Sequence, residues 1–265
     1  MMPADRPAAD SPATMKSNPV LRICHLYPDL LNLYGDRGNI MVLAGRARRR
    51  GIEVTVTEAG LDDEIRPDGA DLFFVGGGED RQQRIAVGDL VGRKRGPLEA
   101  AVADGAVVLA VCGGYQLLGK FYRPAEGDDL PGLALLDLWT EHAGPSAPRL
   151  IGNLVIQPDG GEPPLVGFEN HGGRTFLGPG ARPLGRVVVG FGNNGTDHTE
   201  GAVAGRVYGT YLHGPLLPKN PAFADRLIRE ALSRRYPETA LAPLPDTFEA
   251  QAREAMLTRL GARIP

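Results

Sequence analysis

The sequence predicts an α/β fold: a mostly parallel sheet flanked by helices, with a β-rich second half. From Val20 to about Tyr122, short apolar runs alternate with helical stretches, which is the rhythm of strands joined by crossover helices. Two of the apolar runs, Leu72–Val75 and Ala106–Val111, pass directly into glycine-rich turns, as strands do at the active edge of a parallel sheet. After about Asp128 the texture changes to short strand candidates separated by Gly, Pro and Asn turns,.

Taken in order, Leu21–Leu26 is the first strand. A helix is predicted from Gly38 to Arg50, because Ile40, Leu43, Ala44 and Ala47 share one face and Gly51 supplies the stop,. Glu53–Thr57 alternates as a strand and Leu72–Val75 is short and apolar throughout. Pro97–Ala103 reads as helix, Ala106–Val111 as a buried strand and Gly114–Tyr122 as helix. In the second half, Leu150–Gln157, Leu165–Glu169, Arg186–Phe191 and Ala202–Leu212 read as strands. Ala222–Ser233 is helical again, and Asp246 with Glu249 looks like a capping box opening a last helix that ends at Gly261,.

Composition bounds the function. Hydrophobic residues at 42% and charged residues at 23% are those of an ordinary globular protein,. A net charge of −3 lacks the basic excess expected of a nucleic-acid binder,. No apolar stretch approaches the ~18 residues of a membrane helix, and residues 1–18 contain no apolar signal segment,. Those residues read as a disordered tail, followed by a single domain, 19–265, with C-terminal helices. The two cysteines, Cys24 and Cys112, do not make a disulfide framework,, and a cytoplasmic enzyme is expected.

The run Ala106-Val-Val-Leu-Ala-Val-Cys112-Gly-Gly-Tyr-Gln116 carries the chemistry. A strand entering a cysteine, two glycines and a helix is the setting of a nucleophile elbow, where a tight turn lifts the side chain out of the sheet edge. The helix N-terminus favours thiolate at that position. The Gly76-Gly77-Gly78 turn opens at the same edge, so its amides and that of Gly113 are candidates for an oxyanion hole,. A phosphate cradle is the weaker reading, since no phosphate-loop pattern is present. A thiolate needs a base and acid. His213, ending Val207-Tyr-Gly-Thr-Tyr-Leu-His213, is the first candidate and His171 its rival. Cys24 reads as a core thiol, and Arg46, Arg48, Arg49 and Arg50 as a solvated helix end. The Tyr34-Gly-Asp-Arg-Gly38 stretch reads either as a loop at the active edge or as a helix entry with Asp36 as N-cap,.

Together these stretches resemble the class I, triad glutamine amidotransferases. Cys112-Gly-Gly-Tyr-Gln116 is similar to the family's G-x-C-x-G-x-Q elbow, with Ala110 in place of the first Gly, as in the cobyric acid synthase-like branch. Val75–Gln83 is similar to that branch's oxyanion loop, and Tyr208–Pro215 to its histidine strand. Tyr27–Asn39, Arg149–Ile156, Gly167–Arg174 and Gly190–Gly201 further resemble the glutaminase subunits that serve peptidoglycan amidation. The resemblance covers roughly Leu21 to Leu232 and implies a flavodoxin-like amidotransferase fold.

It also implies an activity: hydrolysis of L-glutamine to glutamate and ammonia through a Cys112 thioester. His213 would protonate the ammonia, and Gly113 with Gly77 or Gly78 would hold the oxyanion. Arg149 would orient the glutamine through its α-carboxylate, and Gln116 would add a contact. No cofactor or metal is implied in this chain. ATP and magnesium are expected on a Mur-ligase-like synthetase partner, MurT, in a heterodimer that amidates D-glutamate of lipid II to D-isoglutamine. Where the family places an acid two residues after the histidine, this chain has Pro215. A Cys–His dyad, or an acid from Glu169, Asp197 or the partner, are the alternatives. Competing readings are a glutaminase for a corrinoid, a catalytically silent binding module, and a plain cysteine hydrolase.

Overall fold

In the computed structural model, which describes residues 18–144 and 146–264, the central layer is a six-stranded sheet. The predicted tail, Asn18 apart, lies outside the described residues. β1 (Val20–Leu26) enters the sheet and the chain returns through α1 (Arg37–Arg48). Ile40, Leu43, Ala44 and Ala47 form the buried face that their spacing predicts. Gly51 then turns with φ +72°, a conformation that suits glycine,, and leads into β2 (Glu53–Ala59). β3 (Leu72–Val75), α2 (Asp80–Asp89), α3 (Arg95–Ala103), β4 (Val107–Val111) and α4 (Gly113–Leu118) follow.

The second half contributes β5 (Phe121–Arg123), β6 (Leu130–Pro131), β7 (Leu138–His142), β8 (Leu150–Gln157), β9 (Leu165–His171) and β10 (Gly173–Leu177). It continues with β11 (Gly185–Val189), β12 (Thr199–Glu200), β13 (Ala202–Ala204), β14 (Val207–Thr210), α5 (Pro221–Ser233) and α6 (Thr247–Leu260). The central sheet runs β13-β14-β4-β3-β1-β2 and is parallel except for β13. Every residue of β3 and β4 is buried, as expected of inner parallel strands covered on both faces. Two four-stranded sheets, β10-β7-β5-β6 and β12-β11-β8-β9, make the β-rich second half.

Four local expectations change. The predicted strand Ala202–Leu212 is a hairpin, broken where Gly205 adopts φ +56°. The helix expected to reach Tyr122 stops at Leu118, because Gly119 packs against Leu138 and the next residues form β5. α2 was not anticipated: its first turn is polar and only Gln83, Ala86 and Val87 are buried. The arginine cluster is partly interior. Arg46 lies 2.7–2.8 Å from the carboxylates of both Asp225 and Asp246, and Arg50 shares Asp225. Asp246 therefore spends its carboxylate on Arg46 and makes no capping bond to α6. Cys24 is a core thiol, which burial raises to about 11.

Candidate active site

Register places the chemistry at one edge. β4 and β14 are parallel neighbours, Thr210 pairing with Val111, and the Cys112 amide donates to the Thr210 carbonyl at 2.8 Å. Cys112 and the segment leading to His213 thus leave the sheet side by side. Cys112 has φ +52° and ψ −110°, a region that a side-chain-bearing residue holds only when its surroundings fix it. The fixing comes from close packing of two glycine turns. A Cβ on Gly113 would stand 2.6 Å from the Gly78 carbonyl oxygen, and one on Gly114 would stand 2.8 Å from that of Gly76.

The thiol opens into a cavity of about 510 Å³ whose wall also carries Tyr34, Gly78, Asp80, Arg149 and His171. Its pKa is pushed up to about 12, first by burial and then by the Asp36 carboxylate, against the opposing pull of the Gly113 amide and Arg149. The helix N-terminus therefore does not deliver the resting thiolate that its position suggests. α4 is only six residues long, and desolvation outweighs it,.

Asp36 has a different role from the N-cap that its sequence position suggests. It is not an N-cap by side chain. Its fully buried carboxylate accepts the Gly77 amide at 2.6 Å, while its other oxygen has no partner among the described residues. Burial raises it to about 7, the Gly77 amide opposing. Of the glycines proposed for the oxyanion hole, Gly77 thus has its N–H engaged. The Gly78 amide has no acceptor among the described residues, and the Gly113 amide faces the Cys112 sulfur.

The two histidines differ in kind. His171 stacks flat on Tyr211, with centroids 3.6 Å apart, and both its nitrogens have partners: the Gly173 carbonyl at 2.8 Å and Glu169 at 3.4 Å. His213 is fully buried and neither ring nitrogen has a partner among the described residues. Burial, then His171 and Lys219, lower it to about 4, so it is a neutral imidazole at pH 7. It is also absent from the cavity wall. Neither sequence-suggested acid bonds to it. Glu169 receives the amides of Phe191 and Gly192 besides facing His171, and Asp197 is held by Asn194 and Thr199.

Arg149 enters the cavity from the start of β8 and is braced on Asn170, its Nε donating to Oδ1 at 2.9 Å and Nη2 to the backbone carbonyl at 3.1 Å. Gln116 lines the cavity but both polar ends are engaged, accepting from Gln83 at 3.0 Å and donating to Tyr211 at 3.2 Å. Asp80, at the start of α2, accepts from Tyr122 at 2.9 Å and lies beside Glu79 on the same wall. A basic and an acidic group on one wall suit a ligand bearing both charges. Among the described residues no cluster of metal-ligating side chains occurs. Of these, Asn170, Gln83 and Asp80 were not singled out in the sequence, and Asp36 was named there only as a candidate N-cap. Asp36 lay within a stretch already singled out, and Asp80 and Gln83 within the loop after β3.

A CobB/CobQ-like glutamine amidotransferase domain matches residues 22–221. Among curated proteins, the chain is 43% identical over 239 residues to the Staphylococcus aureus (strain N315) lipid II isoglutaminyl synthase (glutamine-hydrolyzing) subunit GatD, covering 90% of this chain and 96% of that one. It is 40% identical over 231 residues to the subunit of the same name from Streptococcus pneumoniae (strain ATCC BAA-255 / R6), covering 87% and 88%. It is 43% identical over 129 residues to cobyric acid synthase of Pelotomaculum thermopropionicum (strain DSM 13744 / JCM 10971 / SI), covering 43% of this chain and 24% of that protein.

Proposed function

Because the chain belongs to the CobB/CobQ-like glutamine amidotransferase family, we propose that it is the glutamine-hydrolysing subunit of a lipid II isoglutaminyl synthase. The observation that carries the reading is Cys112, held with positive φ at the foot of a cavity that Arg149 also enters. Arg149 takes the α-carboxylate of L-glutamine, and Asp80 with Glu79 faces its α-ammonium. The Cys112 thiol proton passes to His213 as Sγ adds to the side-chain carboxamide carbon. The amides of Gly78 and Gly113 stabilise the oxyanion, with Gly77 anchoring the loop through Asp36. Collapse breaks the C–N bond, the proton on His213 leaves with ammonia, and water hydrolyses the γ-glutamyl thioester to glutamate. Gln116, held between Gln83 and Tyr211, shapes the wall.

The ammonia goes to a Mur-ligase-like synthetase subunit, MurT, in a heterodimer. That partner binds ATP, magnesium and lipid II and activates the D-glutamate α-carboxylate for amidation to D-isoglutamine. No helix of the described residues is long and apolar enough to cross a membrane, and a cytoplasmic complex is proposed. A glutaminase serving a corrinoid is the second reading, favoured by the identity to cobyric acid synthase. The near-complete coverage of the lipid II subunits, against 24% of that synthase, places it second.

Intact-mass labelling with an electrophilic glutamine analogue tests the site. One adduct is expected, suppressed by excess glutamine and absent from Cys112→Ala. An adduct that persists in the variant refutes the assignment. The acceptor is tested by adding a Mur-ligase-like subunit, ATP and lipid II, with isoglutamine as the readout.

A further inference from the structure

The Leu33–Gly35 turn holds a residue that the reaction above does not use. Tyr34 is 48% exposed, yet its backbone lies at φ +53°, ψ +25°, where an aromatic residue rarely rests without being held. Three contacts hold it. The preceding Leu33 amide donates to the Gly77 carbonyl at 3.1 Å. The Tyr34 ring meets His213 edge-on, with centroids 4.5 Å apart at 88°. Its hydroxyl accepts from Asn170 Nδ2 at 2.5 Å, and Asn170 in turn braces Arg149. Tyr34 lines the cavity and His213 does not.

We propose that Tyr34 is a latched cover over His213: its ring shuts the histidine from the thiol's cavity, and the Asn170–Tyr34 hydrogen bond is the latch. This rests on the roles given above to His213 and Arg149. Both nitrogens of His213 are buried without partners in the covered arrangement, so the ring is shielded and uncommitted until the cover moves. Arg149 gives two hydrogen bonds to Asn170. A carboxylate drawing the guanidinium away loosens Asn170 and, with it, the Tyr34 hydroxyl. Gly35, with φ +75° and open space around it, provides a hinge beside the ring. Glutamine arrival and exposure of the histidine then become one event.

Ethoxyformylation of neutral imidazoles by diethyl pyrocarbonate, read by peptide mass on the full chain at pH 7, tests the latch. Exposed His198 serves as the internal standard. Tyr34→Phe removes one oxygen and Asn170→Ala the other half of the bond. Each is expected to speed His213 labelling at least fivefold relative to His198, and the double variant to go no faster than either single one. Unchanged His213 labelling in the single variants, or effects that multiply in the double, overturns the latch. Should Asn170→Ala fail to fold, Tyr34→Phe alone decides. Glutamine hydrolysis is assayed on the same wild-type sample. Its absence would count against the proposed reaction and leave the labelling comparison standing.

Discussion

A thiol pushed up to about 12 is almost wholly protonated at neutral pH, so in the proposed reaction Cys112 becomes nucleophilic as its proton is handed over rather than beforehand. Asp36 is one cause, and the sign of its removal is definite. Asp36→Asn deletes a negative charge beside the sulfur, and each unit by which the thiol falls raises its thiolate about tenfold. Alkylation of Cys112 by iodoacetamide is expected to be about tenfold faster in the variant at pH 8.5. The two proteins should converge near pH 6, because Asp36, raised to about 7, is protonated there in the wild type. Equal rates at pH 8.5 would remove Asp36 from the account. Arg149→Ala forfeits a charge-assisted contact of about 1.5–3 kcal/mol, so KM for glutamine should rise roughly 10- to 100-fold with kcat changed far less. Steady-state kinetics of ammonia release reads this directly.

At the scale of elements, the clamp of Arg46 on Asp225 and Asp246 fastens α1 to α5 and to the entry of α6. Removing Arg46 leaves Asp225 still paired with Arg50 and takes the partner from Asp246, whose side chain is 26% exposed, a loss of about 1–3 kcal/mol. Arg46→Ala is therefore expected to lower the urea midpoint sharply, and α6 should become the first segment to lose amide protection in hydrogen exchange. This clamp also shows why parts of the molecule were illegible in sequence. A capping-box reading of Asp246 sees only its next three residues, whereas the partner that claims its carboxylate stands 200 positions away. Asp36 could be read locally only as an N-cap for the same reason, its acceptor role lying 41 positions off at Gly77. β3, β4 and the elbow were legible because inner parallel strands are written as unbroken apolar runs. α2, with only Gln83, Ala86 and Val87 buried, and the very short strands β5, β6 and β12 carry no such signal.

For the molecule as a whole, two imidazoles folded away as neutral groups link stability to acidity. His25 and His213 are each lowered to about 4, chiefly by burial. Between about pH 6.5 and 4 the unfolded chain binds protons there that the folded chain refuses, so stability falls as pH falls through that window. His25→Gln removes one such site. On going from pH 7 to 4 the variant should lose less stability than the wild type, by up to roughly 3 kcal/mol, as urea midpoints will show. An identical pH slope would mean that His25 takes up its proton in the folded state.

The pairing of β4 with β14 has a consequence for how the protein is made. Cys112 leaves the ribosome early, but its neighbouring strand and His213 arrive about a hundred residues later. A nascent chain therefore carries the proposed nucleophile, Cys112, without His213 through much of its translation. Under the proposed reaction, free glutamine meets both reacting groups only after the late strand has docked.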